Sequence, residues 1–304
     1  MKKILLAILL PIVLTSSLLA QSYWFGGMTR VPDGNSGGTK SAFNLGTQDF
    51  SQNITKLSQK NNSSGSVVDQ NFDSDNSLVG YSAFQLGIEG AMTNTFFDLE
   101  AGVDLGFASL SSDITNDDEA FLGANLRLGG VLKYSFTPQD DLMITPFLRS
   151  GFSLEFVTND LSLPTSTYYY TPAGYVPSYN YGNAYSDVYG TSLVNTFFNI
   201  SIGTSLKWNN FTAGVALGKY MPMGGDLADF YDMIPGLDAP DPLFLKLNVG
   251  YAFSETFSLD FGWRAEWYDQ SISSTFDYLG TSYTETLDIE WEGHAFDLTF
   301  NKSF

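Results

Sequence analysis

Cysteine is missing altogether, so no disulfide braces the chain, and it has neither a thiolate nucleophile nor a Cys-based metal site. Histidine occurs once, as His294, which leaves little material for imidazole chemistry. Basic residues are scarce, 14 against 33 acidic, for a formal net charge of −19. A surface of that sign cannot bind nucleic acid by neutralising phosphates. Past residue 20 there is no run of eighteen apolar residues, so no helix is expected to cross a membrane. Yet 43% of the residues are hydrophobic and 15% aromatic, the composition of a folded chain rather than a disordered one.

The first twenty residues read as a secretory signal peptide. Lys2 and Lys3 form the positive start, residues 4–14 are apolar apart from Pro11, and residues 15–20 lead to a cleavage site after Ala20. No Cys follows the cut, which excludes a lipoprotein anchor. Loss of Lys2 and Lys3 takes the net charge to −21. Residues 21–38 are Gly-rich and short of pattern, and are expected to form an N-terminal segment in the periplasm.

From there the chain alternates with a period of two, which makes one face of each strand apolar and the other polar. The first strand is placed at 39–50, with Phe43 and Leu45 outward, in preference to 23–31. The clearest strand sets Phe97, Leu99, Ala101, Val103, Leu105 and Phe107 against Asp98, Glu100, Gly102, Asp104 and Gly106. Further strands are expected at 80–91, 121–136, 142–156, 194–208, 211–220, 243–253 and 257–267, and a last one from about Thr286. In that last strand Leu287, Ile289 and Trp291 have odd parity while Phe296, Leu298 and Phe300 have even parity. Such a switch predicts a β-bulge at Gly293.

The connections also alternate. Short turns are expected at 92–95, 137–141, 209–210 and 254–256, and long loops at 51–77, 109–119, 158–191, 221–242 and 270–283. Ten strands with short turns at one end and long loops at the other point to an all-β, antiparallel up-and-down transmembrane barrel spanning residues 39–304. Aromatics at the strand ends, among them Phe97, Tyr134, Phe136, Trp208, Phe211, Tyr251, Phe253 and Phe257, suit an interfacial girdle.

The chain ends Phe296-Asp297-Leu298-Thr299-Phe300-Asn301-Lys302-Ser303-Phe304. Alternating apolar residues that stop on an aromatic resemble the C-terminal signature of bacterial outer-membrane β-barrel proteins. Lys302 departs from the pattern, but a lysine can snorkel at an interface. The resemblance implies a final strand that seals against the first, contact with outer-membrane lipid, recognition by the barrel-assembly machinery through the strand ending at Phe304, and an outer-membrane location in a diderm bacterium.

The polar faces would line the lumen with Glu89, Asp98, Glu100, Asp104, Arg127, Lys133, Arg149, Glu155, Lys207, Lys246, Asp260, Arg264 and Glu266. Ten strands leave little room, so these charges either pair into a plug or border a narrow selective pore. The size invites comparison with the omptin outer-membrane proteases, whose site pairs an Asp with a His. This chain has no Asp-x-His, and His294 has no local serine motif, so no catalytic residue is assigned and the chain is not expected to be an enzyme. Residues 73–76 (Asp-Ser-Asp-Asn) open like a calcium loop, but Leu78 and Phe84 stand where the loop needs Gly and Glu. No metal or cofactor is assigned.

Loop carboxylates could bind divalent cations that bridge envelope polymers, although a solvated acidic loop is the plainer reading. The loop at 158–191 holds Tyr168, Tyr169, Tyr170, Tyr175, Tyr179, Tyr181, Tyr185 and Tyr189, eight of the 17 tyrosines. Tyrosine offers rigid amphipathic contact area, so this loop is the candidate for binding an extracellular ligand. Two function classes stay open: a narrow pore for small solutes, and a surface adhesin or interaction protein.

Overall fold

The computed structural model describes residues 30–32, 37–71, 77–111, 119–158, 168–171, 174–177, 192–225, 241–278 and 280–304. The expected signal peptide lies outside them. Ten antiparallel strands form the wall. They are β1 (Gly38–Asn61), β2 (Ser77–Thr93), β3 (Phe97–Ser111), β4 (Glu119–Lys133), β5 (Leu142–Thr158), β6 (Ser192–Trp208), β7 (Phe211–Gly225), β8 (Leu243–Ala252), β9 (Phe257–Tyr278) and β10 (Thr281–Ser303). Each pairs with its sequence neighbours, and β1 pairs with β10 to close the barrel. Phe43 lies opposite Phe300 there, so the terminal strand does seal against the first.

The register fixes the barrel's shape. A path of direct partners leads from Glu155 through Asn125, Asp104, Gly87, Asn44, Thr299, Asp260, Gly250, Thr212 and Lys207, and returns to β5 at Met143. Return to the starting strand twelve residues lower is the stagger of the wall, and for ten strands it corresponds to a strand tilt of about 40°.

The alternation divides outside from inside. Val103 is 47% exposed and its neighbour Asp104 only 2%. Leu99, Leu105, Leu126, Leu128, Phe152, Ile202, Leu217 and Val249 are exposed on the outer face, which only a lipid environment would cover. At the short-turn end, Phe211, Tyr251, Phe253 and Phe257 form a chain of rings with centroids 5.1, 5.1 and 5.7 Å apart. Lys302 is exposed there with its ammonium 4.9 Å from the Phe304 ring, which accommodates its break in the pattern.

Three expectations fail, for one shared reason. Residues 51–77 are not a long loop. Strand β1 continues to Asn61, and Val67–Asn71 folds back on it. Residues 270–283 are not a loop either, because β9 and β10 run on together to Tyr278 and Thr281. Nor is there a bulge at Gly293, which pairs in unbroken register with Phe50 and Glu266. The only shift between β1 and β10 falls between Ile54 and Lys56.

The outward face of β9 reads Phe261, Trp263, Ala265, Trp267, then Asp269, Ser271, Ser273, Thr275. On β10 it reads Phe300, Leu298, Phe296, His294, then Glu292, Glu290, Asp288, Thr286. The change marks where the strands leave the lipid. Above it the outer face is in water, so it loses its apolar half and a polar strand reads as a loop. The apolar side chains pass to the opposite face, with Phe50, Ile289 and Trp291 buried inside and Phe50 edge-on to Trp291 at 5.4 Å. That reversal is the parity switch. Side-chain bonds tie the outer face together: Ser271 donates to Asp288 at 2.6 Å, and Ser273–Thr286 and Thr275–Thr284 lie at 2.8 and 3.0 Å. The ten residues of β9 beyond Tyr268 carry this sheet on the order of 25 Å above the apolar band.

The other long connections lie largely outside the described residues. Tyr168–Thr171 and Gly174–Pro177 pair as a short hairpin within one of them, and Phe136–Gln139 pairs with β5 in the turn before it.

Val103→Arg places a charge in the middle of the outer face and is expected to destabilise the folded barrel by about 2–4 kcal/mol, with Val103→Leu near neutral. Urea unfolding in liposomes, followed by heat-modifiable migration, measures both.

Candidate functional site: the barrel lumen

Twelve of the thirteen residues expected in the lumen are buried on the inward face: Glu89, Asp98, Glu100, Asp104, Arg127, Lys133, Arg149, Glu155, Lys246, Asp260, Arg264 and Glu266. Lys207 is the exception. It has inward parity but lies beside the Asn209-Asn210 turn, where it is exposed at the barrel mouth. Asp297, on the inward face of β10, belongs with the twelve.

These side chains pair with one another across and along the wall. Arg127 on β4 reaches Asp104 on β3 at 2.8 Å and Glu89 on β2 at 3.0 Å. Lys133 meets Asp98 at 2.8 Å, and Arg149 meets Glu100 at 3.0 Å. Arg264 and Glu266 lie 2.6 Å apart along β9, and Lys246 is 3.6 Å from Asp297. Glycines on the wall make this possible. A Cβ on Gly87 would sit 2.0 Å from both Asn44 Oδ1 and Asp104 Oδ1, so only glycine lets those two side chains lie flat over β2.

The wall does not balance its own charge. Among the described residues it buries eight carboxylates (Glu89, Asp98, Glu100, Asp104, Glu155, Asp260, Glu266 and Asp297) against five cations (Arg127, Lys133, Arg149, Lys246 and Arg264). Part of the remainder is met by a residue that is not in the wall. Arg30 lies inside the barrel, 5% exposed, and its Nη2 donates to Asp98 Oδ2 at 2.7 Å and Glu100 Oε1 at 2.6 Å. Its backbone is held as well. The Arg30 N–H donates to Glu89 Oε2 at 3.2 Å, and its carbonyl accepts from Arg149 Nη2 at 2.5 Å. The Ser205 hydroxyl donates to the Pro32 carbonyl at 2.5 Å. Thus residues 30–32, part of the segment expected in the periplasm, lie within the lumen instead.

Apolar residues share this interior. Val131, Phe147 and Ala216 form one buried cluster, while Tyr220 and Phe244 pack at 4.6 Å beside it on β7 and β8. The gap between Arg30, Ala42, Glu89, Ala91 and Glu100 is too small for a water molecule. Asp98, Asn44, Asn125 and Asn195 are fully buried, as side chains bordering a water-filled channel would not be. At this level the lumen is closed.

Sequence reasoning missed Arg30 and these inward aromatics. Arg30 lies in a stretch without alternation, and the acidic excess of the wall was its only signal. Phe147 and Phe244 follow the inward parity of Arg149 and Lys246 and were hidden by the adjacent outward Leu148 and Leu243.

His294 faces outward, stacked on Trp263 with centroids 6.0 Å apart and planes at 17°. Its β1 partner is Asp49, to which Ser82 on β2 donates at 2.6 Å. The aspartate therefore stands between serine and histidine, which are two strands, on the order of 10 Å, apart. The imidazole cannot take the hydroxyl proton in that order. Of the tyrosine candidates, Tyr168, Tyr169, Tyr170 and Tyr175 belong to the short hairpin, and Tyr179, Tyr181, Tyr185 and Tyr189 lie outside the described residues. Residues 73–76 also lie outside them. Asp241, from the acidic loop, pairs with Lys219 at 2.5 Å.

No protein-family model and no curated protein matches the chain. Several solved structures match over most of the chain. The protease OmpT of Escherichia coli matches at 9% identity over 92% of this chain and 99% of its own, with a TM-score of 0.42. A Pseudomonas aeruginosa FadL homologue matches at 9% over 88% and 90%, with a TM-score of 0.35. The transport unit of the E. coli autotransporter AIDA-I matches at 10% over 95% and 97%, with a TM-score of 0.37. The wall itself, apolar outside, polar inside and closed at ten strands, is that of an outer-membrane β-barrel seated in outer-membrane lipid.

Arg127→Ala strands Glu89 and Asp104 in the buried lumen and is expected to cost about 3–5 kcal/mol. Replacing Arg127, Glu89 and Asp104 together by Met, Gln and Asn should recover most of it. Urea midpoints in liposomes compare the two.

Proposed function

We propose that the protein is a narrow outer-membrane pore for small solutes, held shut by its own N-terminal segment. The observation that carries this reading is residues 30–32 inside the lumen. They are gripped by side chains from β2, β3, β5 and β6. No backbone ladder ties this segment to the wall among the described residues. A barrel sealed only for stability needs no strand-free strap, whereas a strap held by side chains can leave without unzipping the wall. The reading is of a transporter and not an enzyme, since it asks the lumen charges to bind and repel but not to react. The strand ending at Phe304 is the segment offered to the barrel-assembly machinery.

A second reading rests on the sheet that β1, β9 and β10 raise above the apolar band. Its Ser/Thr-rich outer face, with the tyrosine hairpin, offers an interaction surface for an adhesin, and a closed lumen would not hinder it.

Planar-bilayer recording separates the two. The wild-type protein is expected to be silent for most of the record, and Arg30→Ala, folded and heat-modifiable, to open at least tenfold more often. An equally silent Arg30→Ala barrel contradicts the pore and leaves the raised sheet as the functional surface.

A further inference from the structure

Resting on the pore reading, we propose that the lumen contains a binding site for guanidinium-bearing amino acids, of which Arg30 is the resident occupant. Each polar part of Arg30 has its own receptor. The guanidinium sits between Asp98 and Glu100, one nitrogen donating to a carboxylate on either side at 2.7 and 2.6 Å. The backbone nitrogen is held by Glu89 at 3.2 Å, and the carbonyl by Arg149 at 2.5 Å. Those partners come from three wall strands, β2, β3 and β5, and all four are buried. Each of the three carboxylates is also held by a cation of the wall. Lys133 holds the other oxygen of Asp98, Arg149 the other oxygen of Glu100, and Arg127 the other oxygen of Glu89. The receptor is therefore built into the wall and does not depend on its occupant for its shape.

Free L-arginine presents the same groups with the charges strengthened. Its α-ammonium would replace the Arg30 N–H at Glu89, and its carboxylate would replace the Arg30 carbonyl at Arg149. Both contacts gain from full charge. The site thus suits a solute with a cationic head, an α-amine and an α-carboxylate at the spacing of arginine. L-Lysine has a shorter reach and a compact ammonium in place of the planar group that bridges Asp98 and Glu100. Departure of residues 30–32 would uncover the site, and their return would displace the solute, so strap and solute compete for one place.

The test uses the full-length Arg30→Ala protein refolded in lipid nanodiscs, with L-arginine as the probe and L-lysine as comparator. Tryptophan fluorescence and melting temperature both report binding. We expect saturable binding of L-arginine, at least tenfold tighter than L-lysine, and none to the wild-type protein, whose site Arg30 fills. Should Arg30→Ala fold poorly, Arg30→Gln, which keeps a neutral polar side chain but removes the guanidinium, serves in its place. No saturable binding to a folded variant, or equal binding of the two amino acids, would overturn the site. Bilayer recording of the same variant judges the pore reading separately. Openings that L-arginine leaves unchanged keep the pore and remove the site, and binding without openings keeps the site and removes the pore.

Discussion

Closing ten strands into a ring places most inward side chains in a space too narrow for bulk water, and the rest of the structure follows from what those side chains must then do. A charge cut off from water is costly unless it is paired. The lumen answers with cross-strand pairs, Arg127 with Asp104 and Glu89, Lys133 with Asp98, Arg149 with Glu100. Glycines such as Gly87 supply the room for long side chains to lie over the neighbouring strand. Among the described residues the wall buries more carboxylates than cations, and Arg30 makes up part of the difference. The strap is in this sense a consequence of the wall's composition.

The wall was legible in the sequence because the physics of each strand is local. Period-two alternation with lipid on one side put Val103 outside and Asp104 inside, and the same parity located twelve lumen residues. It failed where the environment changed along a single strand. Above the lipid, β9 and β10 have water on their outer face, so Ser271, Ser273 and Thr275 replace Trp263 and Trp267, and the pattern that announces a membrane strand vanishes. The strands do not stop there; only their signal does. The reversal at Trp291 and Phe296 looked like a bulge for the same reason, since a parity argument assumes one solvent throughout.

The position of residues 30–32 could not be read in advance, because nothing local distinguishes a short Gly-flanked segment in the periplasm from one inside a barrel. What places it is long-range: carboxylates on β2 and β3, a guanidinium on β5 and a hydroxyl on β6, brought together only when the ring closes. The inward aromatics Phe147 and Phe244 add apolar surface to the same interior. A segment held in that way is bound rather than woven in, which is the physical basis for reading it as a gate.

The absence of cysteine makes the central claim open to a direct test. A Cβ on Gly214, on the inward face of β7, would lie 3.1 Å from Val31 Cγ1. Paired substitutions Val31→Cys and Gly214→Cys therefore fall within disulfide reach when the strap is in the lumen. The account predicts that mild oxidation of the folded double variant forms the cross-link in most molecules, seen as a mobility shift reversed by reductant. A folded barrel in which both thiols stay free would show that the segment does not occupy the lumen.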